Sequence, residues 1–290
     1  MPVISAEGVA CYLRRLQVTD PGQPSVEGLF GLHRAHVERV PYEVIDIQLG
    51  RWTSVQPHHA VNRILRGRGG YCVQLNTAFS VLLAALGYQV TRHAAGVQAS
   101  AGMPAVNADV APHMALSVKL DGLDWLVDVG LGDGLHEPVP ARPGPHQQGP
   151  FNYRLSRSRA EPGGLRLDHD PRGSVTGIDI RMEPARQQEF HRWHHYLVSS
   201  PESRLVRALT VMRRDASSID TLTGCLLRRV DSTGRTVREL STRDEWFEAL
   251  ADVFALGLTD LEPERREALW TKVRAAHESW LARKAASRAS

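Results

Sequence analysis

The chain has 290 residues, with 35 Lys plus Arg against 32 Asp plus Glu and a formal net charge of +3. Hydrophobic residues make up 42% and charged residues 23%, an ordinary globular balance that excludes a disordered chain, a collagen-like fibre and a small disulfide scaffold. At roughly 100–200 residues per domain, the length predicts two or three domains or one large one.

The first 90 residues read as helical. Val9, Tyr12, Leu13 and Leu16 recur at helical spacing behind a Ser5 cap. Leu29, Leu32, His36 and Val37 repeat the pattern until Pro41 stops it. A third helix should open at Tyr71–Cys72 and run to Gly87, with Leu75, Phe79, Leu82, Leu83 and Leu86 as its apolar stripe. From Gln89 the period becomes alternating, and residues 89–97, 114–120, 123–129, 151–156, 165–168 and 177–181 are predicted strands divided by Gly, Pro and Asp turns. Residues 138–150 hold five prolines and two glycines and are predicted as a loop. Residues 226–230 and 236–240 flank Asp231-Ser232-Thr233-Gly234 and read as a hairpin. Thr242 and Glu245 form a capping box that opens a helix, and Leu269, Val273, His277 and Trp280 mark a final amphipathic one. Helical, then β, then mixed is an α+β order.

Three scattered cysteines, Cys11, Cys72 and Cys225, with no CxxC pair, suit neither a disulfide framework nor a cysteine zinc site and fit a reducing cytoplasm. The longest strongly apolar stretch, 78–86, falls far short of the roughly 18 residues of a membrane span. The opening residues lack the basic and apolar regions of a signal peptide. Arginines are scattered rather than blocked, so neither nucleic acid nor membrane is an expected partner, while anionic small molecules stay open.

Cys72 follows Arg68-Gly69-Gly70-Tyr71 and opens a helix, where the positive end of the macrodipole favours thiolate. Arg66 and Arg68 are expected to add positive charge. The residues alone leave two readings of Cys72, a buried small hydrophobe and a nucleophile. Asp121-Gly122 predicts a two-residue hairpin turn. With Leu120 facing Leu123, His113 and Asp128 project from one face as diagonal neighbours within reach of one hydrogen bond. A one-residue slip would separate them. Asp128 lies in the apolar run Trp125-Leu126-Val127-Asp128-Val129, where a carboxylate needs a partner. Nucleophile, base and orienter then follow in the order Cys, His, Asp, although periodicity does not bring Cys72 to the hairpin. His191, His194 and His195 with Glu189 raise a metal site, but HxxHH lacks an established ligand spacing and no metal is expected.

The segment 68–76, Arg-Gly-Gly-Tyr-Cys-Val-Gln-Leu-Asn, resembles the signature around the catalytic cysteine of arylamine N-acetyltransferases. Residues 40–47 resemble that family's Pro-Phe-Glu-Asn segment, and Pro112-His113-Met114 and Asp128-Val129-Gly130-Leu131-Gly132 its histidine and aspartate motifs. Phe190 and the run Tyr196 to Ser203 are similar to its later Thr-Ser-Pro-x-Ser motif. The resemblance implies an N-terminal helical bundle (1–88), a central antiparallel β-barrel (89–198) and a C-terminal α/β lid (199–290), with Cys72, His113 and Asp128 in a papain-like cysteine triad. It implies acetyl-CoA as donor, an arylamine or hydrazine as acceptor, Tyr196 and Ser203 at CoA, and Tyr42 and Leu131 at the acceptor pocket. Tyr42, Val44 and Leu131 depart from the family's usual Phe, Asn and Phe. Those departures motivate a second expectation, an amide synthase of the same family taking a polyketide acyl chain from an acyl carrier protein. A cysteine hydrolase or transglutaminase-like enzyme and a non-catalytic binding domain are the alternatives from other classes.

Overall fold

The computed structural model describes residues 3–110 and 112–289. Its N-terminal part holds five helices, α1 (Ala6–Leu16), α2 (Val26–Arg39), α3 (Ile45–Gln48), α4 (Pro57–Leu65) and α5 (Cys72–Ala85), with a two-residue strand β1 (Tyr42–Glu43) between α2 and α3. The Ser5 hydroxyl accepts the Gly8 N–H at the start of α1, and Ser25 does the same for Gly28 at α2. Tyr12, Leu16, Leu29, Leu32, Ile64, Phe79 and Leu82 bury together as the core of this part.

Eight strands follow: β2 (Gln89–Gln98), β3 (Pro112–Leu120), β4 (Leu123–Val127), β5 (Val139–Pro140), β6 (Gly144–Gln148), β7 (Phe151–Arg157), β8 (Leu165–Asp168) and β9 (Gly177–Pro184). They form one antiparallel sheet in the order β5-β4-β3-β2-β9-β8-β7-β6. Val139 near one edge and Phe151 near the other share a core with Ala95, Ala115, Leu126, Leu155, Leu167 and Ile178, so the sheet coils round on itself. A side chain spans the remaining gap. Gln148 of β6 accepts from the His136 N–H at 2.7 Å and donates to the Glu137 carbonyl at 2.8 Å, just before β5. The barrel is therefore nearly closed, without a ladder at the seam.

The segment 138–150, expected as a loop, supplies β5 and β6. Both are edge strands, where Pro140 and Pro145 cost no central ladder bond. The strand expected over 123–129 stops at Val127, which releases Asp128 to Gly130 from the ladder. The Asp121-Gly122 turn has φ of 51° and 74°, the doubly positive pattern of a tight hairpin, and Leu120 faces Leu123 as the spacing predicts.

The chain continues through α6 (Gln187–Ser199), α7 (Arg204–Arg207), β10 (Thr210–Arg214), β11 (Ile219–Thr223), β12 (Leu226–Asp231), β13 (Gly234–Glu239), α8 (Arg243–Asp252) and α9 (Pro263–Ala289). The Thr242–Glu245 capping box opens α8. A second sheet has the order β1-β10-β11-β12-β13. One face packs Val211 and Leu222 against Trp246, Leu250, Phe254, Leu269 and Val273. Through β1, the N-terminal chain thus enters the C-terminal sheet, with Tyr42 opposite Met212. Among the described residues, no helix is long and apolar enough to cross a membrane.

Candidate active site

Cys72 is the first residue of α5. Its position is fixed by the glycines before it. A Cβ on Gly69 would stand 1.9 Å from the Pro41 carbonyl oxygen, and one on Gly70 would stand 2.8 Å from Gln74 Oε1. The missing side chains let the backbone run against β1, where the Glu43 N–H donates to Gly70 O at 3.0 Å. Gln74 then clamps the helix start: its Oε1 accepts from Tyr71 N at 3.3 Å, and its amide donates to Thr53 Oγ1 and, at 3.0 Å, to the Ser54 carbonyl.

The arginine expected to charge this entry does something else. Arg68 is buried and binds Glu43 at 3.1 Å, Asp46 at 3.4 Å and Asp260 at 2.9 Å, while Arg63 joins Glu43 and Asp46. Its charge is spent on three carboxylates that tie the glycine turn to the C-terminal part. Arg66 is exposed.

His113 and Asp128 meet as the hairpin register requires. His113 Nε2 lies 2.7 Å from Asp128 Oδ2, and both residues are 1% exposed. Asp128 Oδ1 accepts from the Asn76 amide and from the Gly130 N–H, each at 2.8 Å. Asn76 Oδ1 in turn accepts the Val129 N–H at 3.1 Å. Burial alone pushes the Asp128 carboxyl up, but His113, Asn76 and Gly130 together hold it below the usual carboxylate range. Burial likewise works against charge on His113. Asp128 on one side and Cys72 on the other overcome it and raise the imidazole to about 10. Since Nε2 is committed to Asp128, Nδ1 is the nitrogen left for Cys72.

Two supports of this arrangement escape the sequence patterns. Asn76 sits one helical turn after Cys72, so a single helix carries the thiol and the amide that steadies the aspartate. His33 of α2 lies behind Asp128: its Nε2 faces the Asp128 N–H at 3.4 Å and its Nδ1 the His136 carbonyl at 2.9 Å. Burial depresses His33 to about 4, consistent with a neutral ring that accepts at one nitrogen and donates at the other. Gly130 completes the fit, because a Cβ there would stand 2.5 Å from Asn76 Nδ2 and 2.9 Å from Cys72 Cα.

In front of Cys72 and His113 lies a cavity of about 960 Å³ between the barrel and the second sheet. Tyr42, Leu131, Tyr196 and Ser203 all line it, as does Val44. Asp128 does not and stays behind His113. Burial keeps the Tyr42 phenol above its ordinary range and therefore neutral. Ser203 caps α7, donating to the Leu197 carbonyl at 2.6 Å and accepting from Leu205 N at 3.2 Å. Arg204 and Arg207 of α7 also line the cavity. The histidines of α6 do not converge: His194 faces the Tyr71 hydroxyl and the Thr53 carbonyl, and no cluster of three metal-binding side chains occurs among the described residues.

A family model described as N-acetyltransferase matches residues 25–262. The chain is 31% identical over 216 residues to an arylamine N-acetyltransferase of Mycolicibacterium smegmatis, covering 69% of this chain and 74% of that protein. It is 34% identical over 152 residues to a proansamycin X synthase of Amycolatopsis mediterranei, where the match covers 51% of this chain and 57%, little more than half, of the relative. Among solved structures, Mycobacterium marinum arylamine N-acetyltransferase in complex with CoA superposes with a TM-score of 0.80 at 26% identity, covering 91% of this chain and 99% of the other.

Proposed function

The chain belongs to the arylamine N-acetyltransferase family and is an acyltransferase, and from that premise we propose that Cys72 carries an acetyl group from acetyl-CoA to an arylamine or hydrazine nitrogen. The observation that carries the assignment is the half-buried Cys72 beside the buried pair His113 and Asp128, with its 2.7 Å bond between base and orienter. Acetyl-CoA is a substrate here. The cavity has room for its acyl end and pantetheine arm, and the guanidinium groups of Arg204 and Arg207, which make no ion pair among the described residues, suit its phosphates. Tyr196, 44% exposed at the cavity, and Ser203 flank that entrance, while Tyr42 and Leu131 border the acceptor space.

The charged His113 stabilises thiolate on Cys72, and the thiolate attacks the thioester carbonyl. The new C–S bond forms, the bond to CoA breaks, and the departing sulfur takes the proton from His113. Exchange of one thioester for another makes this half-reaction nearly isoenergetic. The acceptor amine, largely neutral at pH 7 when it is an aniline, then attacks the acetyl-cysteine. His113, now neutral, removes the nitrogen's proton as the tetrahedral intermediate collapses, and the Cys72 thiolate leaves. Asp128 holds the ring with Nε2 towards itself and balances the charge that returns to it.

Intact-mass spectrometry after incubation with acetyl-CoA should show one acetyl adduct, localised to Cys72 and discharged by an aniline. Adduct formation or turnover that persists in Cys72→Ala would reject the assignment. A second reading, amide formation from a longer acyl thioester on an acyl carrier protein, is favoured by the cavity volume and by the similarity to the proansamycin X synthase. It predicts slow adduct formation from acetyl-CoA and rapid formation from long-chain acyl thioesters.

A further inference from the structure

The second sheet presents a straight row of side chains to the cavity. Tyr42 pairs with Met212, Met212 with Thr221, and Thr221 with Arg228, so the four residues face the same way on adjacent strands. All four line the cavity. Tyr42 marks the reactive end, since its strand bridges to Gly70, two residues before Cys72. Arg228 lies three strand spacings away, about 14 Å at the backbone.

Arg228 is unlike the arginine next to it. Arg229, on the opposite face, binds Asp220 at 2.9 Å. Arg228 is half-buried, its Nε is enclosed without a hydrogen-bond partner, and it makes no ion pair among the described residues. The one carboxylate whose charge it feels, Asp133, is already taken by the Ser174 N–H at 2.6 Å, the Ser174 hydroxyl at 3.0 Å and His169 at 3.6 Å. Arg235 adds like-charge repulsion. A half-buried guanidinium with no ion-pair partner is costly, and a planar carboxylate is the group that satisfies its fork of donors.

We infer that Arg228 is the anion-recognition residue at the far end of the cavity, and that the acceptor amine carries a carboxylate at the end remote from its nitrogen. The inference rests on the acetyl-transfer reading above and names the substrate class for the same cavity. The row acts as a ruler: nitrogen at Cys72, body along Met212 and Thr221, carboxylate on Arg228. The anion could instead be a phosphate of the donor, but Arg204 and Arg207 at the α7 edge already supply charge there.

Ping-pong kinetics separate the two sources, because the donor alone acylates Cys72 in the first half-reaction. The probe is a para-aminophenyl alkanoate whose chain spans a comparable length, measured against its methyl ester, in wild type, Arg228→Gln and Arg228→Lys. Wild type should prefer the acid. Arg228→Gln should raise KM for the acid about ten- to hundredfold and erase the preference, and Arg228→Lys should restore part of it. No preference in wild type, equal losses for acid and ester, or slower acetylation of Cys72 by acetyl-CoA in Arg228→Gln would each overturn the inference. Failure of wild type to form the Cys72 adduct at all would instead remove the acetyl-transfer reading, a result visible before any acceptor is added.

Discussion

The two walls of the cavity are built on opposite terms. On the barrel side the base and its orienter are held by a buried network: Asp128 accepts from His113, Asn76 and Gly130, and Asn76 of α5 is committed to Asp128, Val129 and the Met114 carbonyl. On the opposite side the second sheet offers Thr210, Thr221, Thr223, Met212 and Arg228, whose side chains make no hydrogen bond or ion pair among the described residues. A fully satisfied buried network is rigid, and a row of open hydroxyls, a thioether and a free guanidinium can adapt. In the function proposed above, the difference separates the labour: the barrel wall sets the reaction and the sheet wall selects what reacts.

That division can be broken most sharply at Asp128. Asp128→Asn should lower kcat by roughly 10³–10⁴-fold, with little change in acceptor KM, because the wrong group faces His113 Nε2. A comparable rise in KM from this one substitution would argue against two separate walls. Asn76→Ala should cost about 10- to 100-fold in kcat, the value of one or two hydrogen bonds to a buried charge, and should also be visible as slower alkylation of Cys72 by iodoacetamide.

The same wall should show itself in stability. His113 rises from an ordinary 6.5 to about 10, so its contribution is complete below pH 6.5 and is lost as pH climbs through 10. Asp128 is depressed, so its contribution is present above the normal carboxylate range and is lost in acid. The gap in Tm between wild type and His113→Gln should therefore be widest near pH 6 and close towards pH 10. A gap that widens with pH would contradict the charged pair. The smallest effect belongs to the sheet wall: Thr221→Val should shift acceptor KM by a few-fold, about 1 kcal/mol or less, and leave the rate of Cys72 acetylation unchanged.

The sequence made the barrel wall readable and strands β10 and β11 of the sheet wall almost invisible, for a physical reason. The Asp121-Gly122 turn fixes the register that puts His113 beside Asp128, and an acid in an apolar strand signals a partner. Strands β10 and β11 carry Thr, Met and Arg on their cavity face, so their alternation lacks the inward apolar signal on one side and a polar outer face on the other. The reach of β1 to β10 and the Arg68 carboxylate cluster join residues far apart in the chain, and no local pattern encodes them. Asn76 did leave a trace. It is a buried amide on a largely buried helix, which asks for a partner as Asp128 does.

Strand β1 also sets an order of assembly. The turn that presents Cys72 leans on Tyr42 and Glu43, and those residues find their ladder partners only in β10, far downstream. Arg68 reaches further still, to Asp260. During synthesis, the N-terminal helices can pack on one another early, and Met114, Leu116 and Val118 of β3 then complete their core. The wall opposite the thiol arrives only with the last third of the chain. A ribosome-bound nascent chain therefore carries Cys72, the proposed nucleophile, before the second sheet can complete its pocket.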